Sequence, residues 1–509
     1  MSKVINIILT ISLTSFLAFY FVAAIAAPDI ISLFPLEQYD QKITDWLSPS
    51  DPSYTKPLLT PTQQKIRKAE LYRHYFGKES PWNAYYINLL FSQPAPQDLQ
   101  SLEAEKINSF TNQNQPMDKI GYGANFRPYT EQWLTQIRNN IHLQQFSAQH
   151  YDPAKRAIAI TNIQGRLLPT EEPHFYSYKV AGQGYPFDNV QAAVVWAGTP
   201  LYVLGETVDH AWSMVLTPGF IGWVKSTDIA KVNANFVAEW VKVAQLNLAA
   251  ITHTQIPIVD TENGEFRFSG YIGMLFPAIK SSKSIHLLIP VMDEKRQAHI
   301  HHAELSMQYA ALIPLLPTPQ HFVNIMQHLL GRIYGWGSMY FYNDCSAELK
   351  NIYTVFGIWL PVHSSNQVDP QQVLGKAIDL SNPQPDGKAR STYLIEHGHP
   401  WMTVIYIGGH VLDYVGEYPN PGDPVHRIVP LSYQNMWGLG AVSGAARRVV
   451  IGQSVLLPLL TSYSEDPALS SQLNKKTFQL LYLDEFPANI TPANILGSIK
   501  INLSALLSP

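Results

Sequence analysis

Two changes of residue pattern limit the folds open to this chain. Residues 28 to about 150 combine polar helical segments with Pro-rich connections, and one of these segments begins near Thr60-Pro61 and ends at Gly77. From about residue 155 to 305, short apolar runs such as VQAAVVWAGTPLYVLGET and SIHLLIPVM alternate with turn residues, which predicts two consecutive small β-barrels. From residue 318 helical and strand patterns mix, which predicts an α+β domain.

The α+β region can be divided further from its pattern. The segment TPQHFVNIMQHLLGRIYG predicts a helix that ends at Gly331 or Gly335, and a second helix begins near Cys345. The segments STYLIEH, WMTVIYI, HVLDYVGEY and RRVVIG predict strands. No role is predicted for the segment that starts at about residue 456.

The charge of the chain excludes one class of partner. Lys and Arg number 35 and Asp and Glu number 39, so the net charge is −4, and no block of like charges occurs. Phosphate binding needs a concentrated Lys/Arg face, so we expect no nucleic-acid partner. The 37 prolines and the 12% of aromatic residues suit short strands, turns and surfaces that contact carbohydrate or peptide.

The N-terminus has the order of residues found in a secretory signal. A single basic residue, Lys3, precedes a long apolar run from Val4 to Ala27, with small residues at Ala24 and Ala26. The run is also long enough to span a bilayer, so an uncleaved membrane anchor is the alternative. No cysteine follows the run, which excludes a lipid anchor. Either interpretation predicts an exported protein of the periplasm or cell envelope.

Cys345 is the only cysteine in 509 residues. In an exported chain a single cysteine indicates either a reactive thiol or a buried, inert side chain. We predict that Asn343 or Asp344 caps a helix that starts at Cys345, and that Gly357 ends it. Apolar residues at helical spacing would form one face of this helix: Leu349, Ile352, Tyr353 and Phe356. The first helical turn favours a thiolate by about 0.3–1 kcal/mol, and further activation needs a histidine.

Three downstream histidines are candidates for that activating base. His397 and His399 lie where Gly and Pro interrupt the pattern, whereas His410 opens a predicted strand. A base on a rigid strand that faces a helix N-terminus is the better arrangement for catalysis, so local pattern favours His410 without excluding the other two.

The motifs around these residues resemble a known family. YGWGS, NDCSAEL, FGIWLP, TVIYIGGHVLDYVGEY and YQNMWG are similar to the NlpC-type family of bacterial cell-wall cysteine peptidases, whose catalytic domain is papain-like and α+β. The chain resembles most closely the members with an N-terminal stabilising segment and two bacterial SH3-like domains. PWN, GYGAN, RLLPT, GYPFDNVQ and GFIGWV occur in the expected order, so the resemblance covers nearly the whole chain from about residue 60.

The resemblance implies a multidomain organisation and an activity. The predicted divisions are a signal peptide 1–27, a mainly helical stabilising segment 28–150, SH3-like barrels 151–232 and 233–305, a papain-like peptidase domain 306–455, and a C-terminal extension 456–509. The implied activity is hydrolysis of peptidoglycan stem peptides through a thioester, commonly between γ-D-glutamate and a diamino acid. The alternatives are an inactive or weakly active wall-binding protein and an amidase or acyltransferase on the same scaffold.

The resemblance also implies the catalytic residues. Cys345 matches the nucleophile and His410 matches the base. Gln434 takes the third position, where relatives most often have His, and it can orient an imidazole ring but cannot carry charge. A second departure is Asp413, at a position that is usually apolar. By strand alternation Asp413 faces away from His410, so we expect little effect on the chemistry.

Substrate contacts are implied in the same way. Asp344 matches the residue that meets the free amine of the terminal L-alanine, although simple helix capping would give the same sequence pattern. The residues that act with it are Ser346, Ser364, Tyr334 and Trp336. The first SH3-like domain walls off one side of the cleft in relatives, which assigns Tyr185 and Asp188 in GYPFD as contacts. An ordinary barrel loop is the alternative interpretation of that motif.

The segment HIHHAE is the one cluster that suggests a metal. Neighbouring histidines on an extended segment point to opposite faces, and zinc needs three or four converging ligands. The segment, which contains His299, His301, His302 and Glu304, also falls in a predicted linker. We therefore expect no metal and no cofactor.

Overall fold

The computed structural model describes residues 31–45, 47–180, 182–420, 423, 425, 427–442, 448–464, 466–497 and 503–507. The predicted signal peptide, residues 1–27, lies outside the described residues. Among the residues that are described, no helix is both long enough and apolar enough to cross a membrane. The predicted fold class is confirmed, because a helical N-terminal region, two β domains and a C-terminal α+β region follow one another along the chain.

The N-terminal region is mainly helical. Its elements are β1 (Ile31–Leu33), α1 (Pro61–Tyr75), α2 (Ala84–Phe91), α3 (Leu99–Asn108) and α4 (Glu131–Ile141). Thr60 caps α1 by accepting the backbone N–H of Gln63, and the Gln63 side chain accepts the N–H of Thr60 in return. The helix predicted from Thr60-Pro61 is therefore confirmed.

The first β domain is one antiparallel sheet. Its strands are β2 (Arg156–Ala159), β3 (Ile163–Arg166), β4 (Gln191–Val195), β5 (Pro200–Glu206), β6 (Trp212–Leu216), β7 (Ile221–Lys225) and β8 (Ile229–Lys231), in the order β4-β3-β7-β6-β5-β2-β8. Fully buried aromatic side chains such as Tyr202 and Trp223 fill its core. A long connection between β3 and β4, residues 167–190, contains the GYPFD motif and reaches the C-terminal region.

The second β domain follows a helix, α5 (Ala234–Leu246). Its strands are β9 (Leu248–Ile251), β10 (Ile256–Val259), β11 (Phe266–Gly270), β12 (Leu275–Lys280), β13 (Ser284–Met292), β14 (Ala298–Ser306) and β15 (Ala310–Leu312). Five of them form a sheet in the order β14-β13-β12-β9-β15, and β10 pairs with β11. The prediction that HIHHAE lies in a linker was wrong, because these residues lie in β14 and pair continuously with β13.

The C-terminal region packs helices against a seven-stranded sheet. Its elements are α6 (Pro319–Met326), α7 (Cys345–Val355), β16 (Lys376–Asp379), α8 (Gly387–His397), β17 (Thr403–Tyr406), β18 (Val411–Pro419), β19 (Ile428–Gly440), β20 (Arg448–Pro458), β21 (Gln479–Tyr482), α9 (Pro492–Gly497) and α10 (Leu503–Leu507). The strand order is β1-β20-β19-β18-β17-β21-β16, antiparallel except where β1 meets β20. One apolar core joins α6 and α7 to this sheet.

Two predicted elements differ from the structure. The segment STYLIEH is part of helix α8 and not a strand, because Asp386 caps a helix in which Arg390 and Leu394 are buried at a spacing of four. The helix from Thr318 ends at Met326, several residues before Gly331, and residues 327–331 continue as a turn.

The tail of the chain is part of the C-terminal sheet. β21 lies between β17 and β16, and the predicted boundary at residue 455 falls inside β20. Helix α9 packs against α1, and α10 packs against α3. The segment for which the sequence predicts no role thus connects the C-terminal sheet to the N-terminal helices.

Candidate active site

Helix α7 begins at the single cysteine. Asp344 is its N-cap: the carboxylate Oδ1 accepts the backbone N–H of Ala347 at 2.8 Å and the Ser346 hydroxyl at 3.0 Å. Cys345 is the first helical residue and is 8% exposed. The predicted cap and the predicted start of the helix are therefore both found, with Asp344 and not Asn343 in the capping position.

The apolar face of α7 fixes the helix on the sheet. The four residues predicted for this face are fully buried: Leu349, Ile352, Tyr353 and Phe356. Gly357 follows the helix with φ +73°, a conformation that glycine adopts without the steric cost of a Cβ atom. Burial of this face holds the N-terminus of α7, and Cys345 with it, against β18 and β19.

His410 lies immediately before β18 and is oriented by an amide. Its Nε2 is 2.8 Å from Oε1 of Gln434 on β19, and an amide oxygen can only accept, so Nε2 carries the proton. The Nδ1 atom of the neutral ring is then the basic nitrogen. Gln472 donates to the same Oε1 at 2.7 Å, which fixes the amide with its oxygen toward the ring.

Cys345 lies beside the start of β18, the strand that follows His410. The backbone N–H of Val411, the residue directly after His410, points at the Cys345 sulfur and lowers its pKa. The backbone N–H groups of Cys345 and Ser346 act in the same direction. Three main-chain donors therefore converge on the sulfur from the start of α7 and the start of β18.

The sulfur is nevertheless protonated at neutral pH. Burial raises the pKa of Cys345 to about 12, and the neighbouring carboxyl of Asp344 raises it further, so these effects exceed that of the three N–H groups. Burial also lowers the pKa of His410 to about 4, with Lys475 acting in the same direction and Gln434 in the opposite one. The thiolate favoured by the helix N-terminus is thus not the resting form; the pair is a neutral thiol and a neutral imidazole.

A buried carboxyl group joins α7 to the strand that carries Gln434. Glu348 is fully buried and accepts hydrogen bonds from Tyr433 Oη at 2.7 Å, Asn343 Nδ2 at 3.1 Å and Asn435 Nδ2 at 3.1 Å. Tyr433 and Asn435 flank Gln434, so this network sets the helix against β19. The sequence indicates this hydrogen-bond network only weakly. Its one signal is a single acidic residue, Glu348, in a stretch of helix that is otherwise buried.

Asp413 faces α7, on the opposite side of β18 from Leu412 and Tyr414. It is fully buried, and its Oδ1 lies 2.8 Å from the hydroxyl of Tyr353, which also lies 2.8 Å from the carbonyl of Trp401. Burial raises the pKa of Asp413 well above its ordinary value. The Tyr353 hydroxyl has a single proton, so it can donate only one of these two hydrogen bonds. If Tyr353 donates to the carbonyl of Trp401, a neutral Asp413 can donate its own proton to the Tyr353 oxygen.

Tyr334 and Trp336 border the start of α7. Burial raises the pKa of the Tyr334 phenol well above its ordinary value, and the neighbouring Cys345 and Asp344 raise it too. The Trp336 indole donates to the backbone carbonyl of Asp188 at 3.1 Å, which ties this loop to the first β domain. Among the described residues, Ser364 makes no hydrogen bond to any other predicted substrate contact; it opens a short 3-10 helix.

The two residues predicted from GYPFD have different surroundings. Asp188 is 2% exposed, and its carboxylate accepts from Arg166 Nη1 at 2.6 Å and from the backbone N–H groups of His174 and Val190. Those bonds anchor the loop, and the role of Asp188 as a substrate contact stays a prediction. Tyr185 is 69% exposed, so its ring is accessible to a ligand.

The described residues offer one grouping with metal-type ligands. Asp260, Glu262 and His301 bring ligand atoms within 4.8 Å of one another. Arg267 Nη2 already contacts Oδ2 of Asp260 at 2.6 Å, so a guanidinium supplies the positive charge there. Of the histidines in HIHHAE, His301 alone joins the group.

Comparisons with known proteins agree with this architecture. Family models identify an SH3 domain of SH3b1 type at residues 173–225 and an SH3 domain of SH3b2 type at residues 233–283. A solved NlpC/P60 endopeptidase from Photobacterium damselae subsp. piscicida matches with a TM-score of 0.75 and 24% identity, over 90% of this chain and 100% of that one. An NlpC/P60 family protein from Bacillus cereus matches 56% of this chain and 81% of its own, at 17% identity and a TM-score of 0.37. No curated protein sequence matches the chain.

These findings define the class of fold. The chain contains two bacterial SH3 domains and an α+β region with the fold of an NlpC/P60 endopeptidase structure. The resemblance predicted from the motifs is therefore confirmed at the level of domains and fold.

Proposed function

We propose that this protein is an exported cysteine endopeptidase of the bacterial cell wall. Its substrate is the peptidoglycan stem peptide, cut between γ-D-glutamate and the diamino acid in stems with a free N-terminus. The observation that carries the proposal is the junction of α7 and β18, where Val411 directs its N–H at Cys345 and the preceding His410 is oriented by Gln434. In this proposal Cys345 is the nucleophile, His410 is the base and Gln434 is the group that orients the base.

In the proposed mechanism, proton transfer accompanies nucleophilic attack. Nδ1 of His410 takes the thiol proton as the Cys345 sulfur bonds to the carbonyl carbon, because the resting pair is neutral. The tetrahedral intermediate collapses to a thioester, the C–N bond breaks, and the imidazolium returns its proton to the leaving amine. Water then attacks the thioester with His410 as base, which releases the acid and restores the thiol.

Main-chain groups at the start of α7 stabilise the developing oxyanion. The N–H groups of Cys345 and Ser346 already point toward the sulfur, so the oxygen of a carbonyl group whose carbon bonds to that sulfur comes within their reach. Gln434 keeps the proton of His410 on Nε2 and leaves Nδ1 free as the base.

Asp344 combines the capping role seen in the structure with a proposed contact to substrate. Burial raises the pKa of its carboxyl group, so an ammonium group placed beside it favours the ionised form. The free amine of a terminal L-alanine supplies such a group, with the Tyr334 phenol nearby. Tyr185, exposed on the first SH3 domain, is the proposed contact on the facing wall.

The test of this function is the identity of the fragment released from a defined stem peptide. We expect the wild-type protein to convert L-Ala-γ-D-Glu-diaminopimelate into the dipeptide and the free diamino acid, detected by mass spectrometry. The same tripeptide acetylated on its alanine is the matched control, and we expect it to be cut far more slowly.

Two results would contradict the proposal. No cleavage together with binding to purified cell walls would support a passive wall-binding protein, the alternative that Gln434 in place of histidine favours. Release of an intact stem from sugar, or transfer of an acyl group, would support an amidase or acyltransferase.

The pH dependence follows from the environment of His410. Its pKa is lowered to about 4, and only the neutral ring accepts the thiol proton, so kcat/KM, which reports the free enzyme, should fall as pH drops through about 4 and not near 6.5. The measurement is kcat/KM on the tripeptide from pH 3 to 7, with circular dichroism at each pH to show that the protein remains folded. An acid limb centred near 6.5 would show that the ring is not desolvated as described.

A further inference from the structure

A small cavity lies where the N-terminal region, the first SH3 domain and the C-terminal region meet. Its volume is about 380 Å³, within the roughly 300–1,000 Å³ that is usual for small-molecule sites. The ends of α1 and α2, the β6–β7 turn, the segment 359–372 and α10 line it. Neither the catalytic residues nor the residues proposed to contact the stem peptide are among its lining residues, so the cavity is separate from the candidate active site.

Two buried donors at this cavity have no partner. Trp359 is 3% exposed and Tyr86 is 6% exposed, and both line the cavity. The indole N–H of Trp359 and the hydroxyl of Tyr86 make no hydrogen bond within the part of the chain that the structure describes. Buried polar groups in folded proteins nearly always have a partner. Two exceptions at the wall of one cavity indicate a bound group that accepts from them.

The polar groups without partners are of the kind that donate. A tryptophan N–H can only donate. Burial raises the pKa of Tyr86 above its ordinary value, and the nearby Glu79 adds to the effect, so the hydroxyl keeps its proton. The side-chain amide of Asn366, which also makes no hydrogen bond within the described residues, adds two further N–H groups. The cavity is therefore suited to a ligand rich in acceptor atoms.

The carboxylate at the cavity wall already has its own partners. Glu79 Oε2 lies 3.1 Å from Nδ1 of His74 and 3.4 Å from Nε of Arg73. Nη2 of Arg73 donates to Nε2 of His74 at 3.2 Å, so the proton of that ring is on Nδ1, which faces Glu79. Among the lining residues, all of them described, no second carboxylate is present to accept from Trp359 or Tyr86.

The surrounding charge favours an anion. His363, which lines the cavity, is 8% exposed, and its Nε2 has no hydrogen-bond partner in the described chain. Burial lowers the pKa of His363 to about 4, and the positive charge of Lys106 acts in the same direction. Of the two acids that act on Lys106, Glu103 has its pKa raised to about 7 by burial and is only partly ionised at neutral pH, while Glu105 is exposed to solvent. A cation that is incompletely compensated thus lies beside the unpartnered donors.

We propose that this cavity binds a small organic carboxylate of the size of an amino acid or a dipeptide. Each of its two oxygens accepts hydrogen bonds, which matches the N–H of Trp359 and the O–H of Tyr86, and hydrogen bonds to an ionised acceptor are the stronger kind. The products of the proposed hydrolysis are themselves small carboxylates, so the ligand comes either from that reaction or from another source. Binding at this cavity does not depend on the proposed function.

The test titrates succinate and the dipeptide L-Ala-γ-D-Glu separately into the full chain by calorimetry. We expect a carboxylate to bind and succinamide, which has the shape of succinate without its charge, to bind far more weakly. The dipeptide decides the source: preference for it over succinate assigns the ligand to the product of hydrolysis, and preference for succinate assigns it to another carboxylate.

Variants that remove one donor and keep the ring locate the binding. Trp359→Phe and Tyr86→Phe should each raise Kd about tenfold, the loss expected for one hydrogen bond to a charged group. Tyr85→Phe is the matched control, because Tyr85 is the preceding residue on α2, is 65% exposed and does not line the cavity. It should leave Kd unchanged.

The inference is overturned if neither carboxylate binds, since the cavity then holds water alone, or if succinamide binds as tightly as succinate. Binding that Trp359→Phe and Tyr86→Phe leave unchanged, with melting temperatures that show both folded, takes place elsewhere and also overturns it. Hydrolysis of the stem tripeptide is measured separately. Loss of carboxylate binding with intact hydrolysis contradicts this inference alone, and carboxylate binding without hydrolysis contradicts the proposed function alone.

Discussion

Replacing Cys345 by alanine is expected to reduce hydrolysis of the stem tripeptide by at least about a thousandfold. The chain has no other cysteine, so no second thiol can form the thioester. Initial rates of dipeptide release, measured with equal amounts of folded wild-type and variant protein, test this expectation. A trapped thioester intermediate on the wild type, seen as an added mass on the intact protein, should be absent from the variant.

Cys345→Ser is the matched control for shape. It keeps a nucleophilic atom at the same position, but the hydroxyl is less acidic than the thiol and the neighbouring base is weak, with a pKa of about 4. We therefore expect a loss of similar size. Activity retained by the alanine variant would show that the thiol is a buried apolar side chain with no role in chemistry.

Removal of the imidazole at position 410 is expected to cause the second large loss of activity. His410→Ala should lower kcat by about a thousandfold or more, because the thiol then has no base within the site. His399→Ala is the control: the ring of His399 is bound by Asp484 at 2.8 Å and stacks on Tyr482. That ring is thus held by structural partners, and we expect its removal to leave most of the activity.

The comparison of these two variants decides between the histidine candidates. The measurement is kcat and KM on the tripeptide for both variants, with melting temperatures to detect unfolding. Loss of activity in His399→Ala together with retention in His410→Ala would show that the base lies in the HGHP segment. A loss in both variants with normal melting temperatures would mean that the HGHP segment also shapes the cleft.

Local pattern was sufficient to predict the helix at the cysteine. Capping residues and apolar spacing lie within a few residues of each other, so the start of α7 and its buried face could both be read from the sequence. STYLIEH was misread because a short apolar run does not distinguish strand from helix, and the Asp386 cap lies upstream of it.

The partners of the site could not be predicted in this way. Gln472 orients Gln434 from 38 residues away, and Tyr433 binds Glu348 across 85 residues, so only the folded sheet brings them together. The protonation of Cys345 depends on burial, which no local pattern measures. The partners of Asp188, which are Arg166 and the backbone N–H of His174, are likewise set by the folded loop and could not be predicted from local pattern.

The position of β21 in the sheet has a consequence for how the domain folds during synthesis. Within the seven-stranded sheet, β16 pairs with β21 alone, and β21 also pairs with one edge of β17. A ribosome releases residues 479–482 about a hundred residues after β16 has been made. Until that late segment inserts, the nascent chain presents an open sheet edge on the domain that holds the thiol.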